Sequence, residues 1–182
     1  MRPYTKLFLT AAVLLVWVGL WAQEVNHSQA PDLLARLSYD SNSAGSVIRE
    51  GGEGLQKICV AVSRDGDYRI VRSLNSGRKE QLQGKIREQQ LEQLRKLISD
   101  SDFRDLLGSH GGLIRQAAET FAAEIPREDS IQHLQWLNGD GESPFPSSVT
   151  KVVNWLKHFE PNDGKPLVST DYSEVCPSSH GY

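Results

Sequence analysis

Two cysteines and five histidines are the side chains of this sequence whose spacing is most easily compared with known chemistry. Cys59 and Cys176 lie far apart, and in an oxidising compartment an even number of cysteines usually forms disulfides. A Cys59–Cys176 bridge would hold the C-terminal segment on the strand that contains Cys59. Two free thiols are the alternative, whereas a catalytic cysteine would need a supporting histidine motif that neither cysteine has.

The histidines do not have the spacing of metal ligands. No two are separated by the i,i+4 interval of a zinc-binding helix, and none forms a cluster with a cysteine. His110 lies in a Ser-His-Gly-Gly stretch, which predicts an exposed loop, and His133 lies where a strand would face solvent. We expect solvated side chains at both positions, so the sequence predicts no metal site. The complete set is His27, His110, His133, His158 and His180.

Two glycine-rich stretches are only superficially similar to ligand-binding loops. Asn138–Glu142 lacks the ligand spacing and the final bidentate glutamate of a calcium loop. Gly51–Gly54 precedes a strand, whereas a phosphate-binding loop follows a strand and begins a helix. Sequence alone cannot pair acids such as Glu119, Glu124 and Asp140 for acid–base work. The sequence therefore predicts a non-enzymatic protein without catalytic residues and without a cofactor.

The first 22 residues have the pattern of a secretory signal peptide. Two positive residues precede the run Leu7–Ala22, which is apolar to weakly polar. A membrane-spanning helix needs roughly 20 apolar residues, so this run is short for an anchor. We expect cleavage between Ala22 and Gln23 and export to the periplasm or the extracellular medium. A membrane anchor formed by residues 7–22 is the alternative, because Leu20 stands where a small residue is preferred.

The composition limits the classes of partner. The chain has 182 residues and a net charge of −3. A mildly acidic chain lacks the basic stripe that binds nucleic acid. The sequence also has no basic amphipathic helix of the kind that binds a membrane surface. We expect a protein partner such as an exported protease, with membrane association only if the signal remains uncleaved. The sequence leaves the oligomeric state open.

The first strong local signal along the chain is a hairpin. Lys57–Ser63 alternates between apolar and other residues, and Tyr68–Ser73 continues the pattern after Asp65 and Gly66. Asp-Gly between alternating runs indicates a tight turn, because glycine accepts the positive φ that the turn requires. On the first strand, one face is predicted to carry Ile58, Val60 and Val62, and the other Cys59 and Ala61.

Two segments before and after the hairpin are predicted to lack strong structure. Residues 23–54 form a flexible N-terminal segment, because they are rich in Ser, Asn, Gln and Gly. Within them, Leu33–Leu37 is interpreted as a short helical turn and Ser46–Arg49 as a short edge strand. After the hairpin, Leu74–Gly84 is predicted to be a polar connection.

Two helices have clear apolar periodicity. The first is predicted at Glu88–Ser99 and ends at Asp100–Asp102, after which Leu107–Gly112 forms a loop. The second follows Pro146, with a serine cap at Ser147 or Ser148. Its predicted buried stripe is Val149, Val152, Val153, Leu156 and Phe159.

Two further strands are predicted between the helices. Gln116–Ile125 alternates with Phe121, Ala123 and Ile125 on one face. Ile131–Leu137 is the other, with either Leu134 and Trp136 or Ile131 and Leu137 directed inwards. Trp136 and Trp155 are expected to pack together in the core, and a tryptophan-bearing binding face is the alternative.

These elements predict an α+β domain at residues 55–160, followed by a C-terminal tail at 161–182. The order strand-strand-helix occurs twice, which favours an antiparallel sheet of about four or more strands with two helices on one face.

The element order and two short segments resemble a known family. A helix ending in Ser-Asp-Ser-Asp-Phe (Ser99–Phe103) and the pattern Pro-x-x-Val-x-x-Val-Val-x-Trp-Leu (Pro146–Leu156) are similar to the emfourin-type domain. The resemblance extends over roughly Gly51 to Phe159. Emfourin-type domains inhibit thermolysin-like metalloproteases, so the resemblance implies a small α+β fold and an inhibitor of a secreted metalloprotease. Where the family has a Gly-Gly-Phe-like start, this chain has Gly51-Gly52-Glu53.

A second similarity concerns exported proteins of soil bacteria whose function is unknown. They share the Pro-Phe-Pro-Ser and Val-Cys-Pro segments, here Pro144–Ser147 and Val175–Pro177. No functional residue can be carried over from either similarity. The leading expectation is therefore an exported binding or interaction protein of unknown target, and the alternative is the metalloprotease inhibitor. A third hypothesis is a hydrolase whose catalytic residues come together only in three dimensions.

Overall fold

The structure is a computed structural model, and it describes residues 32–41, 54–111, 118–138, 144–161, 163–167 and 172–177. Several predicted features lie outside these ranges. They are the signal peptide at 1–22 with its cleavage site Ala22–Gln23, the edge strand Ser46–Arg49, the glycines of Gly51–Glu53, residues 139–142 of the Asn138–Glu142 stretch, and two histidines, His27 and His180.

The described residues form an α+β domain with one eight-stranded sheet, which confirms the predicted class. The strand order is β5-β7-β6-β1-β2-β3-β4-β8. The strands are β1 Leu33–Ser41, β2 Leu55–Ser63, β3 Asp67–Leu74, β4 Lys79–Lys85, β5 Gly108–Gly111, β6 Glu119–Pro126, β7 Ile131–Asn138 and β8 Lys165–Pro166. The helices are α1 Glu88–Ser99, α2 Ser101–Arg104, α3 Ser147–Lys157 and α4 Tyr172–Val175.

The sheet is larger than predicted and is not purely antiparallel. β5 pairs with β7 in parallel, whereas the other described pairs are antiparallel. The predicted hairpin is confirmed as β2–β3, and Gly66 has the expected positive φ of 92° at its turn. The Gly66 amide donates to the Ser63 carbonyl over 3.1 Å, which closes the turn.

β1 corrects the interpretation of the N-terminal segment. The predicted helical turn at Leu33–Leu37 is wrong, because these residues are extended and pair with β2 and β6. Ala35, Leu37 and Tyr39 alternate into the core, with at most 3% of each residue exposed. Pairing on both sides of a central strand outweighed the weak helical spacing of the leucines. Part of the segment predicted to be flexible therefore belongs to the middle of the sheet.

β4 and β5 correct two predicted connections. Leu74–Gly84 was predicted to be a polar connection and contains most of β4, which has a single apolar side chain, Leu82. Leu107–Gly112 was predicted to be a loop and contains β5, with the sequence Gly-Ser-His-Gly. Both strands lack apolar alternation, so only their pairing with β3 and β7 identifies them.

The two longer helices have the predicted positions, with one correction. α1 has the predicted bounds and buries Leu91, Leu94 and Ile98. α3 begins at Ser147, but its N-cap residue is Pro146, so the predicted serine cap is wrong. Ser148 is buried instead, and its hydroxyl donates to the Asp102 carbonyl over 3.4 Å. The predicted stripe from Val149 to Phe159 is buried throughout.

The main core lies between the sheet and helices α1 to α3. Its members include Leu37, Val60, Leu94 and Val152, together with β7 residue Leu134. The first alternative for β7 describes the face towards this core, because Leu134 belongs to it and Trp136 packs against it. Leu137 of the second alternative is also buried, at 5% exposed. The aromatic contacts of the tryptophans differ. The Trp136 ring stacks on His110, and the Trp155 ring lies 5.2 Å from that of Phe159.

The opposite face of the sheet carries a second, smaller core. It contains Cys59, Ala61 and Val71 from β2 and β3, with Val175 from α4. Residues 161–182 were predicted to be a tail, and this segment supplies β8 at the edge and α4 on the second face. Helical residues therefore contact both faces of the sheet. Within the described ranges, every helix is too short or too polar to cross a lipid bilayer.

Candidate functional site

The predicted disulfide between Cys59 and Cys176 is present. The two Cα atoms are 5.0 Å apart, and 117 positions separate the residues in the sequence. The bond joins β2 to Cys176, the residue that follows α4. It fixes the C-terminal segment and performs no chemistry of its own in this state.

The three described histidines lie on different elements, namely β5 (His110), β7 (His133) and the C-terminal end of α3 (His158). The His110 ring stacks on Trp136 at 4.4 Å, and its Nε2 is 2.9 Å from the Leu107 carbonyl. His158 Nδ1 lies 2.7 Å from the Asn154 carbonyl, so this nitrogen must carry the proton if the two are hydrogen-bonded. Nowhere in the described ranges do three metal-ligating side chains form a group.

His133 belongs to a row of charged groups across three strands. Arg36, Glu124 and His133 stand directly opposite one another on β1, β6 and β7. Arg36 Nη1 donates to Glu124 Oε2 over 3.1 Å, and His133 Nδ1 is 3.7 Å from Glu124 Oε1. Glu124 is only 4% exposed, and a buried carboxylate needs partners of this kind. Cross-strand pairs of opposite charge hold strands in register, and we assign this row that structural task.

A second polar group, the Glu119 cluster (Tyr39, Glu119, Asn138 and Lys157), lies where β1 and β7 end and β6 begins. The Tyr39 hydroxyl donates to Glu119 Oε1 over 2.5 Å, and Lys157 Nζ lies 3.3 Å from the same oxygen. Asn138 Nδ2 donates to Glu119 Oε2 over 3.2 Å. The Lys157 ammonium also lies 4.3 Å from the centre of the Tyr39 ring, within cation–π distance.

The environment of this cluster moves the pKa values of Tyr39 and Glu119 in opposite directions. Burial raises the pKa of Tyr39, and the hydrogen bond to the Glu119 carboxylate raises it further. Burial alone would raise the pKa of Glu119, but the hydrogen bond from Tyr39 and the charge of Lys157 outweigh burial and lower it. The hydrogen bonds and the ion pair of the cluster join the ends of three strands to α3.

The lowered pKa of Glu119 makes a prediction about acid stability. Below 4.5, the ordinary value, the unfolded state binds a proton before the folded state does, so stability falls as pH decreases. Glu119→Gln removes this contribution. When the pH falls from about 6 to about 3, the unfolding free energy of the variant should decrease by about 1 kcal/mol less than that of the wild type. The difference is this small because solvent screens part of the ion pair.

Urea unfolding at a series of pH values measures this difference. Glu128→Gln is the matched control, because Glu128 is exposed on the turn between β6 and β7. Its acid dependence should equal that of the wild type. Equal pH dependence of the wild type and Glu119→Gln would contradict the assigned role of Glu119.

A shallow groove of about 350 Å³ runs between α1 and α3. Its floor is formed by Leu97 and by Trp155, which is 6% exposed. The Trp155 indole N–H donates to the Gln90 carbonyl over 3.3 Å, so the ring is held across the two helices. The complete lining is Gln90, Gln93, Leu97, Lys151, Asn154, Trp155 and His158.

The groove is rich in hydrogen-bonding groups and contains no acid. Gln90, Gln93 and Asn154 supply carboxamides, and Lys151 supplies a cation. Carboxamides both donate and accept, whereas an ammonium only donates. The lining therefore fits a partner with a carboxylate and other hydrogen-bonding groups above an apolar contact. The sequence did not indicate this groove, because most of its lining residues occupy polar helix positions, which periodicity assigns to solvent.

The Glu119 cluster was missed for another reason. Its members belong to β1, β6, β7 and α3, and β1 was not recognised as a strand. The predicted acids Glu119 and Glu124 do have partners, in two separate groups.

Comparison with known proteins found no family model that matches this chain and no curated protein with significant sequence similarity.

Proposed function

We propose that this chain is an exported, non-enzymatic binding protein whose α1–α3 groove receives a segment of a protein partner. The composition of the groove carries the proposal. Of its lining residues, three are carboxamides and none is acidic, and Lys151 stands at its rim. Complementary charge across an interface sets the register and the rate of association. The segment received carries an apolar side chain and a carboxylate.

The Glu119 cluster supports the proposal by attaching α3 to the end of the sheet. Its carboxyl group accepts a hydrogen bond from Tyr39 and lies 3.3 Å from Lys157 Nζ. This half-buried pair stabilises the end of the sheet. It leaves α3, whose last residue is Lys157, firmly attached beside the groove.

Export is supported by two independent features. The N-terminal sequence has the pattern of a secretory signal, with expected cleavage between Ala22 and Gln23. The Cys59–Cys176 disulfide is of a kind that persists in oxidising compartments. We propose a periplasmic or extracellular location, with an uncleaved anchor at residues 7–22 as the alternative.

A metalloprotease inhibitor is the second candidate. The emfourin-like pattern of Ser99–Phe103 and Pro146–Leu156 favours it, and the second of these segments includes groove residues. An inhibitor is itself a binding protein, so the two candidates differ in the identity of the partner. If micromolar protein leaves several thermolysin-like proteases fully active, the inhibitor candidate is wrong.

Affinity capture from culture supernatant and envelope fractions tests the groove. Three baits that begin at Gln23 are compared: the wild type, Gln93→Glu/Lys151→Glu and Gln89→Glu/Lys96→Glu. The first variant makes the groove acidic, and the control makes the same changes at exposed positions on α1 outside the lining. We expect the wild type and the control to recover the same protein, with at least about tenfold weaker affinity for the groove variant.

Equal recovery on all three baits would show that the partner binds elsewhere and would overturn the groove as its site. Recovery of a metalloprotease that is sensitive to the groove variant would support the inhibitor candidate.

A further inference from the structure

The C-terminal strap (β8, α4 and Cys176) covers part of the sheet face opposite the groove. Its α4 residue Val175 is 1% exposed and packs in the small second core. The sheet side of that core includes Ala61, Val71 and Cys59, and Leu33 of β1 packs against it. The strap therefore hides an apolar patch that β2 and β3 would otherwise present to solvent.

Among the described side chains of the α4 part, which are those of residues 174–177, Glu174 makes one ion pair. Arg69 Nη1 donates to Glu174 Oε2 over 2.6 Å, but both side chains are more than half exposed, at 51% and 59%. Exposed ion pairs of this kind contribute little. A helix as short as α4 has no independent stability. Of the described side chains of α4, Val175 is the buried one, and its burial offsets part of the entropy lost when α4 is ordered.

The β8 part is held differently. Lys165 and Pro166 pair with β4, and the Leu167 amide donates to the Gln81 carbonyl over 3.0 Å. These backbone contacts do not involve the disulfide. Loss of the bridge therefore affects α4 and Cys176 first and leaves β8 on the sheet edge.

We propose that the Cys59–Cys176 disulfide is the latch of this strap, and that reduction by a dithiol releases α4 and uncovers the apolar patch. Cys176 is half-buried whereas Cys59 is 1% exposed, so the attacking thiolate reaches the Cys176 sulfur. A mixed disulfide forms there and Cys59 leaves as a thiolate, which takes up a proton. The second thiol of the reductant then attacks the mixed disulfide, releases Cys176 as a thiol and leaves the reductant as a disulfide.

This device is independent of the proposed binding groove. The groove lies between the helices that contact the main core, whereas Cys59 and Val71 lie on the other face of the sheet. Reduction therefore changes the surface of the second face while the main core and the groove keep their packing.

Methyl nuclear magnetic resonance of the full mature chain tests the latch. The oxidised protein should show contacts between Val175 and the methyl groups of Ala61 and Val71. We expect these contacts to disappear in the dithiol-treated protein and in Cys59→Ala/Cys176→Ala, while contacts between Val60 and Val152 remain. An apolar dye should also fluoresce more strongly with both opened forms.

Arg69→Gln/Glu174→Gln is the control, because it removes the exposed ion pair and keeps the bridge. It should retain the Val175 contacts. The latch is wrong if the Val175 contacts persist without the bridge. It is also wrong if the Val60–Val152 contacts disappear together with them, because the bridge would then support the whole domain.

Discussion

Replacing Gln132 by leucine should lower the unfolding free energy by about 3 kcal/mol, although leucine is apolar and the site is buried. Gln132 is 3% exposed. Its Nε2 lies within hydrogen-bonding distance of three backbone carbonyls, those of Phe103, Arg104 and Leu106, at 3.0, 3.2 and 2.7 Å. Its Oε1 accepts from Arg127 Nε over 3.0 Å. Leucine leaves these buried groups without the amide, and such groups are costly to desolvate.

Urea denaturation measures this loss. Gln135→Leu is the control, since Gln135 lies on the same strand and, among the described residues, its side chain accepts one long hydrogen bond, 3.4 Å, from Ser109 Oγ. We expect the control to change stability by less than about 0.5 kcal/mol. Equal effects of the two substitutions would show that the amide of Gln132 does not organise the chain around α2.

Gly111→Ala should cost about 2 kcal/mol more than Gly108→Ala, or should detach β5 from the sheet. Both glycines have positive φ, 98° and 80°, so alanine is strained at both positions. A Cβ at Gly111 would lie 1.9 Å from the Leu137 carbonyl oxygen, whereas at Gly108 nothing lies within 4 Å. The difference between the variants therefore isolates the close approach of β5 to β7.

Unfolding free energies of both variants give the difference, and amide exchange at Ser109 and His110 reports whether β5 stays paired. Equal stability with intact protection of β5 would contradict the close backbone approach.

The elements that could be predicted from the sequence are those whose signals are local. The β2–β3 hairpin has alternation and an Asp-Gly turn within one short stretch, and α1 and α3 have continuous apolar stripes. The disulfide was predictable because two cysteines allow only one intramolecular pair. The hairpin and the helices can be inferred from neighbouring residues, and the disulfide can be inferred from the number of cysteines.

The missed strands depend on distant partners. β4 has the sequence Lys-Glu-Gln-Leu-Gln-Gly-Lys, which pattern alone assigns to solvent. It is a strand because β3 pairs with it along its whole length. β1 is identified by its pairing with β2 and β6. In the sequence, its alternating residues Ala35, Leu37 and Tyr39 lie within a segment whose polar composition predicts flexibility.

The candidate sites were missed for a related reason. Gln132 and Glu119 are polar residues whose partners come from other elements, and neither has a sequence motif. Their positions follow from register, which sequence alone leaves undetermined until every strand is known. The groove residues, such as Lys151 and Asn154, occupy polar helix positions that resemble any solvated surface.

Hydrogen–deuterium exchange of the chain with its captured partner tests the central claim most directly. The account predicts slower exchange in both helices that line the groove, at Gln90–Leu97 and Lys151–His158, with little change in β2, β3 and the strap. Protection confined to β5, or to the end of the sheet at Glu119, with unchanged exchange in α1 and α3, would contradict the groove as the binding site.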